Sequence, residues 1–353
     1  MFGHAGGRPG AGPVLSGLER AVQHPAQHAV QVLCILGAED EGGGAAQFLL
    51  PHVIGTYSPV TGRVTDWRNM LAHTQLFIAF GGLPLRNTQV TSGGAGEHSS
   101  AAWIARAARS GIEFVVISPT RSDVPDGLRA RWIPIRPNTD TALMLGMAHT
   151  LLAEGLHNAD FLRTHCTGFN TWARYLRGTD DGQPKDAAWA AAICGVAADT
   201  IANLARSAAR QRTIINCTWS LQRAHHGEQP YWASIALAAV LGQIGLPGGG
   251  FAFGHGSVNG AATPRPDVAA PRLSAGPNPI ARNIPVARMA DMLLQPGQSY
   301  AFNGRTGTYP DIRLVYWAGG NPYHHHQDLN RLERAWSRPE TIVVQDPMWT
   351  PTA

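Results

Sequence analysis

Leu76-Phe77-Ile78-Ala79-Phe80-Gly81-Gly82 is the stretch on which the reading of the fold turns. Five apolar residues in a row, without polar alternation, suit a strand buried on both faces, as in a parallel sheet. The two glycines end the run where the backbone must turn, or must come close to a ligand.

The same texture recurs along the chain. Phe114–Ile117 runs into Ser118-Pro119-Thr120, Trp132–Ile135 into Arg136-Pro137-Asn138-Thr139-Asp140, and Thr213–Ile215 into Asn216. Further on, Leu314–Trp317 leads to Gly319-Gly320-Asn321, and Thr341–Val344 to Gln345-Asp346. Helical patterns separate several of the runs. Ser100–Arg109 follows the first, and Thr141–Glu154 follows the third, with Asn138, Thr139 or Asp140 available as a cap and Gly155 as a stop. Strand alternating with helix predicts an α/β fold of two doubly wound, mostly parallel-sheet, Rossmann-like units, the second incomplete. The strands ending at Phe80, Ile117 and Ile135 are expected to lie parallel, with their polar ends on one edge. Ligands of such folds gather outside the carboxyl ends of the strands, where Asn, Asp and Arg can read a base or a pyrophosphate.

A chain of 353 residues exceeds one small core and suits about two domains. Residues 44–231 are expected to form the first unit and residues 232–353 a partial second. The second contains the turn-forming run Leu246-Pro247-Gly248-Gly249-Gly250 and an irregular Pro-rich stretch through Pro285. Residues 1–43, Gly/Pro-rich at the start and weakly patterned after it, receive no element and are expected to pack weakly. The richest apolar run, Tyr231–Leu246, is interrupted by Ser234 and Gln243 and falls short of the roughly 18 apolar residues of a membrane span. It reads as a buried helix.

Hydrophobic residues make up 44% of the chain and charged residues 15%, the balance of a globular chain with an extensive interior. The net charge is +4, but the arginines are scattered. No Lys/Arg block beside an aromatic motif marks a nucleic-acid surface, whereas scattered Arg suits a phosphate-bearing cofactor. Cys34, Cys166, Cys194 and Cys217 lie far apart with no CxxC pair, so they give neither a zinc site nor a disulfide framework. No four-Cys motif is present, and no iron–sulfur cluster is expected. Consecutive residues such as His324-His325-His326 point in different directions, and His225-His226-Gly227-Glu228 lacks the i, i+4 spacing of a helical zinc site. No metal ligand is assigned. The start of the chain carries no basic-then-apolar export signal, and the compartment stays open between cytoplasm and periplasm.

Four segments are more specific: Gly44-Ala45-Ala46-Gln47 through Leu50-Pro51-His52-Val53-Ile54-Gly55, Asn216–Gln229 (NCTWSLQRAHHGEQ), Trp317–Arg331 (WAGGNPYHHHQDLNR) and Arg338–Ala353 (RPETIVVQDPMWTPTA). From about residue 44 to residue 353 the chain resembles the dimethyl-sulfoxide reductase family of molybdopterin oxidoreductases, in its dimethyl-sulfoxide, trimethylamine-N-oxide and biotin-sulfoxide reductase branch. The resemblance implies one molybdenum held by two molybdopterin guanine dinucleotides. It also implies reduction of S-oxides or N-oxides by oxygen-atom transfer, with an external electron donor that the sequence does not identify.

By the same resemblance, Arg86 and Asn87 lie near one dinucleotide, Thr120 and Arg121 follow the next strand, and Asn138, Thr139 and Asp140 hold guanine or pyrophosphate. Trp219, Ser220 and Arg223 line the metal side. Asn321, His325, Gln345 and Asp346 contact the second unit's share of the cofactor. No catalytic residue is named. In this branch a serine within a Ser-Tyr-Gly-Trp-type segment, upstream of the region beginning at Gly44, ligates molybdenum. Ser16, in Val14-Leu15-Ser16-Gly17, has none of those neighbours and receives no such role. Relatives also continue past the counterpart of Ala353, so the chain is expected to be an internal portion of such an enzyme, inactive alone. The alternative from another class is a non-catalytic nucleotide-binding remnant or scaffold. A nicotinamide dehydrogenase would want a Gly-x-Gly-x-x-Gly turn, which Gly81-Gly82-Leu83-Pro84 does not supply.

Overall fold

A computed structural model describes residues 34–36, 44–57, 59, 64–89, 97–263, 283–302, 304–318 and 321–353. Strand β1 (Cys34–Leu36) and helices α1 (Gly44–Ile54) and α2 (Trp67–His73) lead into β2 (Leu76–Phe80), the run read first above. Then come α3 (Ser100–Ala107), β3 (Glu113–Ile117), β4 (Ala130–Ile133), α4 (Asp140–Ala153), α5 (Ala159–His165), α6 (Phe169–Leu176), α7 (Ala187–Cys194), α8 (Ala198–Arg210), β5 (Thr213–Cys217), α9 (Gln229–Val240) and β6 (Gly250–Phe253). The chain divides into two compact units, one of residues 41–266 and one of residues 1–40 with 267–353. The expectation for residues 1–43 lies outside the described residues, apart from β1, a short strand that the sequence reading did not assign.

In the larger unit, β2 to β6 form one sheet in the order β4-β3-β2-β5-β6, and every pairing is parallel. All five residues of β2 are buried. Alternation across the pleat sends Leu76, Ile78 and Phe80 into one core and Phe77 and Ala79 into another. The first core is closed by α1, α4, α7, α8 and α9, and the second by Trp67 and Met70 of α2 with Ile104 and Ala107 of α3. Both faces are covered, as an all-parallel sheet requires. The strand expected to end at Ile135 stops at Ile133, because Pro134 offers no N–H to continue the ladder.

Two features depart from the expected boundaries. Residues 155–212, for which no element was expected before Thr213, hold four helices, and two begin on side-chain caps: Asn158 accepts from Phe161 N at 2.9 Å and Asp186 from Trp189 N at 2.8 Å. Residues 232–263, read at the start of the second unit, pack in the larger one. The cause is β6, which pairs with β5 as the fifth strand and brings α9 with it.

Helix α4 runs through the first core with nearly every side chain buried. Gly146 is the reason it can sit so close to its neighbours. A Cβ there would lie 2.7 Å from Ala190 Cβ of α7 and 3.3 Å from Ile201 Cγ2 of α8.

The smaller unit contains β7 (Asn283–Pro285), α10 (Met289–Leu294), the antiparallel hairpin of β8 (Ser299–Phe302) and β9 (Arg305–Thr308), β10 (Leu314–Ala318), α11 (Pro322–His325), α12 (Leu329–Trp336) and β11 (Thr341–Gln345). β1 pairs with β7 and β10 with β11, both in parallel. Here the reading of strands buried on both faces fails. β11 alternates exposed and half-buried, and Leu314, Tyr316 and Val343 lie open. Among the described residues β10 and β11 form a sheet of two. Among the described residues, no single helix is long and apolar enough to cross a membrane.

Two buried ionisable groups oppose each other in pH dependence. Burial pushes the His255 imidazole down to about 4, against the pull of its bond to the Thr65 carbonyl. An unfolded chain therefore protonates first, and this contribution to stability is full above pH 6.5 and lost as pH falls toward 4. Burial pushes the Asp140 carboxyl up to about 6, against the bond from its own N–H. The folded chain holds that proton longer, so this contribution is full below pH 3.8 and lost as pH rises through 6. Each is on the order of 3 kcal/mol at about 1.4 kcal/mol per pH unit.

Gly146→Val should lower the unfolding free energy by about 3 kcal/mol, since overpacking a closed core costs that much; denaturant titration within about 0.5 kcal/mol of the parent would contradict this packing account. For Asp140→Asn, the stability gained over the parent should grow by about 2–3 kcal/mol between pH 4 and pH 7. A difference that stays constant across that range would show that Asp140 titrates as an ordinary carboxylate.

Candidate functional site

The strand order sets where a ligand can enter. From β2 the chain adds β3 and β4 on one side, then crosses to add β5 and β6 on the other. The order reverses between β2 and β5, and at such a reversal the loops leaving the two carboxyl ends part to open a crevice.

Gly81 closes the floor of that crevice. Its φ of 84° lies in the left-handed region, and a Cβ would fall on Thr218 Oγ1 and lie 3.1 Å from Ser220 Oγ. Only a residue without a side chain lets the two loops meet. Thr218 N donates to Phe80 O at 3.1 Å. Trp219 N donates to Ser257 Oγ at 2.9 Å, and the buried Tyr231 hydroxyl donates to the Thr218 and Trp219 carbonyls, each at 3.2 Å. From the other direction Ala45 N, one of the first amides of α1, donates to Gln222 Oε1 at 2.9 Å. The segment after β5 is thus held from three sides while Ser220 and Arg223 stay exposed. The Trp219 indole N–H is buried with no acceptor among the described residues, 2.5 Å from where a Cβ on Gly254 would stand.

A second knot ties the loops after β2 and β3. Asp123 is buried and accepts from Ser118 Oγ, from Thr120 Oγ1 at 2.9 Å and from Arg86 Nη2. Burial alone would raise its carboxyl, but the Ser118, Arg86 and Thr120 hydrogen bonds outweigh it and hold the group below the usual carboxylate range. Arg86 Nη1 also donates to Ser122 O at 3.1 Å.

Beyond β4, Asn138 takes a φ of 63°, which Asn tolerates better than most residues. Thr139 precedes α4, and its hydroxyl donates to Arg136 O at 2.7 Å rather than capping the helix. Asp140 opens α4 and is buried.

In the smaller unit the register pairs Ala318 with Gln345, so β10 and β11 end side by side. Asn321 follows β10 and accepts from Thr352 Oγ1. Gln345 Oε1 accepts from Tyr316 OH at 2.8 Å, and Asp346 accepts from Met348 N at 3.0 Å. His325 lies in α11 by its backbone, and its side chain is outside the described part.

The structure therefore joins Arg86 to Thr120 through Asp123, and Trp219 and Ser220 to the loop after β2. Asn87 and Arg121 are exposed on the same edge and enter neither knot. Sequence reading missed Asp123, Gly254 and Ser257. Only Asp123 had a signal, as an acid six residues past a strand end with three hydroxyl residues between.

Molybdopterin carries a phosphate, and the chemistry of this edge fits such a group. It presents three guanidinium groups, amides and hydroxyls, together with a buried indole N–H that lacks an acceptor among the described residues. Among the described residues, no three His, Cys, Asp or Glu side chains gather to hold a metal ion.

Comparison with known proteins agrees in kind. The family described as molybdopterin oxidoreductase matches residues 50–353. A biotin sulfoxide reductase of Cereibacter sphaeroides is 48% identical over 309 residues, covering 88% of this chain and 42% of the relative. A dimethyl sulfoxide/trimethylamine N-oxide reductase of the same organism is 43% identical over 324 residues, covering 89% and 39%. The chain spans about two fifths of the length of these curated relatives. Among solved structures, acetylene hydratase from Pelobacter acetylenicus aligns with a TM-score of 0.44 at 19% identity, over 60% of this chain and 26% of its own. The match over residues 50–353 settles the family: the chain belongs to the molybdopterin oxidoreductases.

Proposed function

We propose that the chain carries most of one cradle, and part of a second, for molybdenum bis(molybdopterin guanine dinucleotide) in a reductase of S-oxides or N-oxides. The observation that carries this reading is the meeting of Gly81 with Thr218 and Ser220 where the strand order reverses. The relatives support the substrate class, since they are named for biotin sulfoxide, dimethyl sulfoxide and trimethylamine N-oxide reduction.

When bound, the molybdenum–dithiolene group supplies the two-electron redox chemistry. Overall, an S-oxide or N-oxide takes up two electrons and two protons and leaves as sulfide or amine with one water. The residues of this chain bind and orient. Arg86 and Arg121 offer charged donors to phosphate, and Thr120, whose hydroxyl proton goes to Asp123, offers its oxygen to the cofactor as an acceptor. Asn87 and Asn138 offer amide groups, Thr139 a hydroxyl oxygen and Asp140 a carboxyl group to guanine or pyrophosphate. Trp219, Ser220 and Arg223 line the crevice on the side of the metal. In the smaller unit Asn321, His325, Gln345 and Asp346 hold part of the second dinucleotide. No serine ligand to molybdenum is assigned in this chain, and the 353-residue polypeptide does not turn over alone.

Purified from a host that makes the cofactor, the chain should hold molybdenum well below one per polypeptide. It should oxidise no reduced viologen with dimethyl sulfoxide or trimethylamine N-oxide. Co-expression with the portions of a relative that this chain does not span should restore both. Stoichiometric metal with turnover by the chain alone would overturn the inactivity. Absence of metal even with those portions present would favour a non-catalytic nucleotide-binding remnant.

A further inference from the structure

We infer that Asp123 is a positioning residue that fixes Arg86 as a preformed phosphate-binding group, with Thr120 tying the loop after β3 to the same carboxylate, an inference that rests on the cofactor reading above. Three observations carry it. Asp123 is buried, yet both of its oxygens are engaged, Oδ1 by Arg86 and Oδ2 by Ser118 and Thr120. It therefore bridges the loop after β2 and the loop after β3 at the edge where ligands of this architecture bind.

Space has been made for it. Gly82 has a φ of 90°, and a Cβ there would lie 2.7 Å from Asp123 Cβ. Leu83 N donates to Asp123 O at 2.9 Å, so backbone as well as side chain locks the two loops together.

The lock leaves its product facing outward. Arg86 is anchored at Nη2 by Asp123 and at Nη1 by Ser122 O, while its side chain remains 58% exposed. A guanidinium held in one orientation loses less rotamer freedom when an anion binds than one that is free. Asp123 also places a negative charge near that anion. Its repulsion is screened over about 8 Å at physiological ionic strength and over less at higher salt, whereas orientation is not screened. At raised salt the positioning effect wins.

The test compares guanosine 5′-diphosphate with guanosine on the full 353-residue chain, by calorimetry at about 0.3 M salt, where screening is stronger still. Asp123→Asn should weaken diphosphate binding about tenfold and leave guanosine unchanged. Arg86→Gln should do the same, and the double variant should be no worse than Arg86→Gln alone, the signature of one residue acting through the other. Thermal unfolding of each variant reports its folding, and Asp123→Glu, which keeps the charge, should recover part of the diphosphate affinity if Asp123→Asn is unstable. Equal weakening of both probes, unchanged diphosphate binding, or additive effects in the double variant would overturn the role of Asp123 and leave the cofactor reading standing. A parent chain that binds neither probe would overturn both.

Discussion

The close approach of two loops at the reversal of strand order is the constraint on which the rest of the larger unit depends. Gly81 has no Cβ, and Thr218 Oγ1 stands where one would be. That vacancy lets the segment after β5 fold back across the end of β2, with Thr218 N bonded to Phe80 O. The Trp219 backbone then reaches Ser257 beyond β6, and Gln222 reaches the first turn of α1. Four stretches far apart in the chain are fastened at one edge of the sheet. The sheet itself is rigid because both faces are buried, so the edge inherits that rigidity. Donors at such an edge act on a phosphate only when they are held in place.

Polar groups at this edge are arranged with unequal completeness, and the difference follows function. Asp123 is fully engaged by Arg86, Ser118 and Thr120, which fits a member of a locked scaffold. The Trp219 indole N–H is buried without an acceptor among the described residues, and an unpaired buried donor costs about 1–3 kcal/mol. Asp140, at the start of α4, is held toward its neutral form by burial. These last two are unfavourable for the fold taken alone. Such departures from a fully satisfied interior gather where a protein works rather than where it merely packs.

Much of the larger unit was legible from the sequence, and the reasons are physical. β2 and the apolar part of β3 are unbroken runs because a parallel sheet buries both faces, and each stops at residues that cannot extend it, whereas β5 runs on through Asn216, where the reading ended it, to Cys217. α4 was legible because it is long and ends at Gly155, which adopts the left-handed conformation expected after a helix. The helices between Ala159 and Arg210 were not legible. Several have only seven or eight residues, too few for a period to stand out, and their starts depend on single caps such as Asn158 and Asp186. β6 was hidden because it begins at Gly250 inside a run of glycines that reads as a turn.

At the site, residue types at strand ends were legible and their pairings were not. Arg86 and Thr120 could be named from their positions, but Asp123, which joins them, becomes visible only when the two loops are brought together. In the smaller unit the apolar patterns of β10 and β11 named the strands correctly and misjudged their burial, since periodicity says nothing about what lies over a sheet. The measurement that tests the central claim most directly is hydrogen–deuterium exchange with and without guanosine 5′-diphosphate. The account predicts protection at residues 81–89, 118–123, 138–140 and 218–223 at the carboxyl edge, with Ile244–Pro247 at the opposite edge unchanged. Protection centred on that opposite edge, or none at these loops with the nucleotide bound, would contradict it.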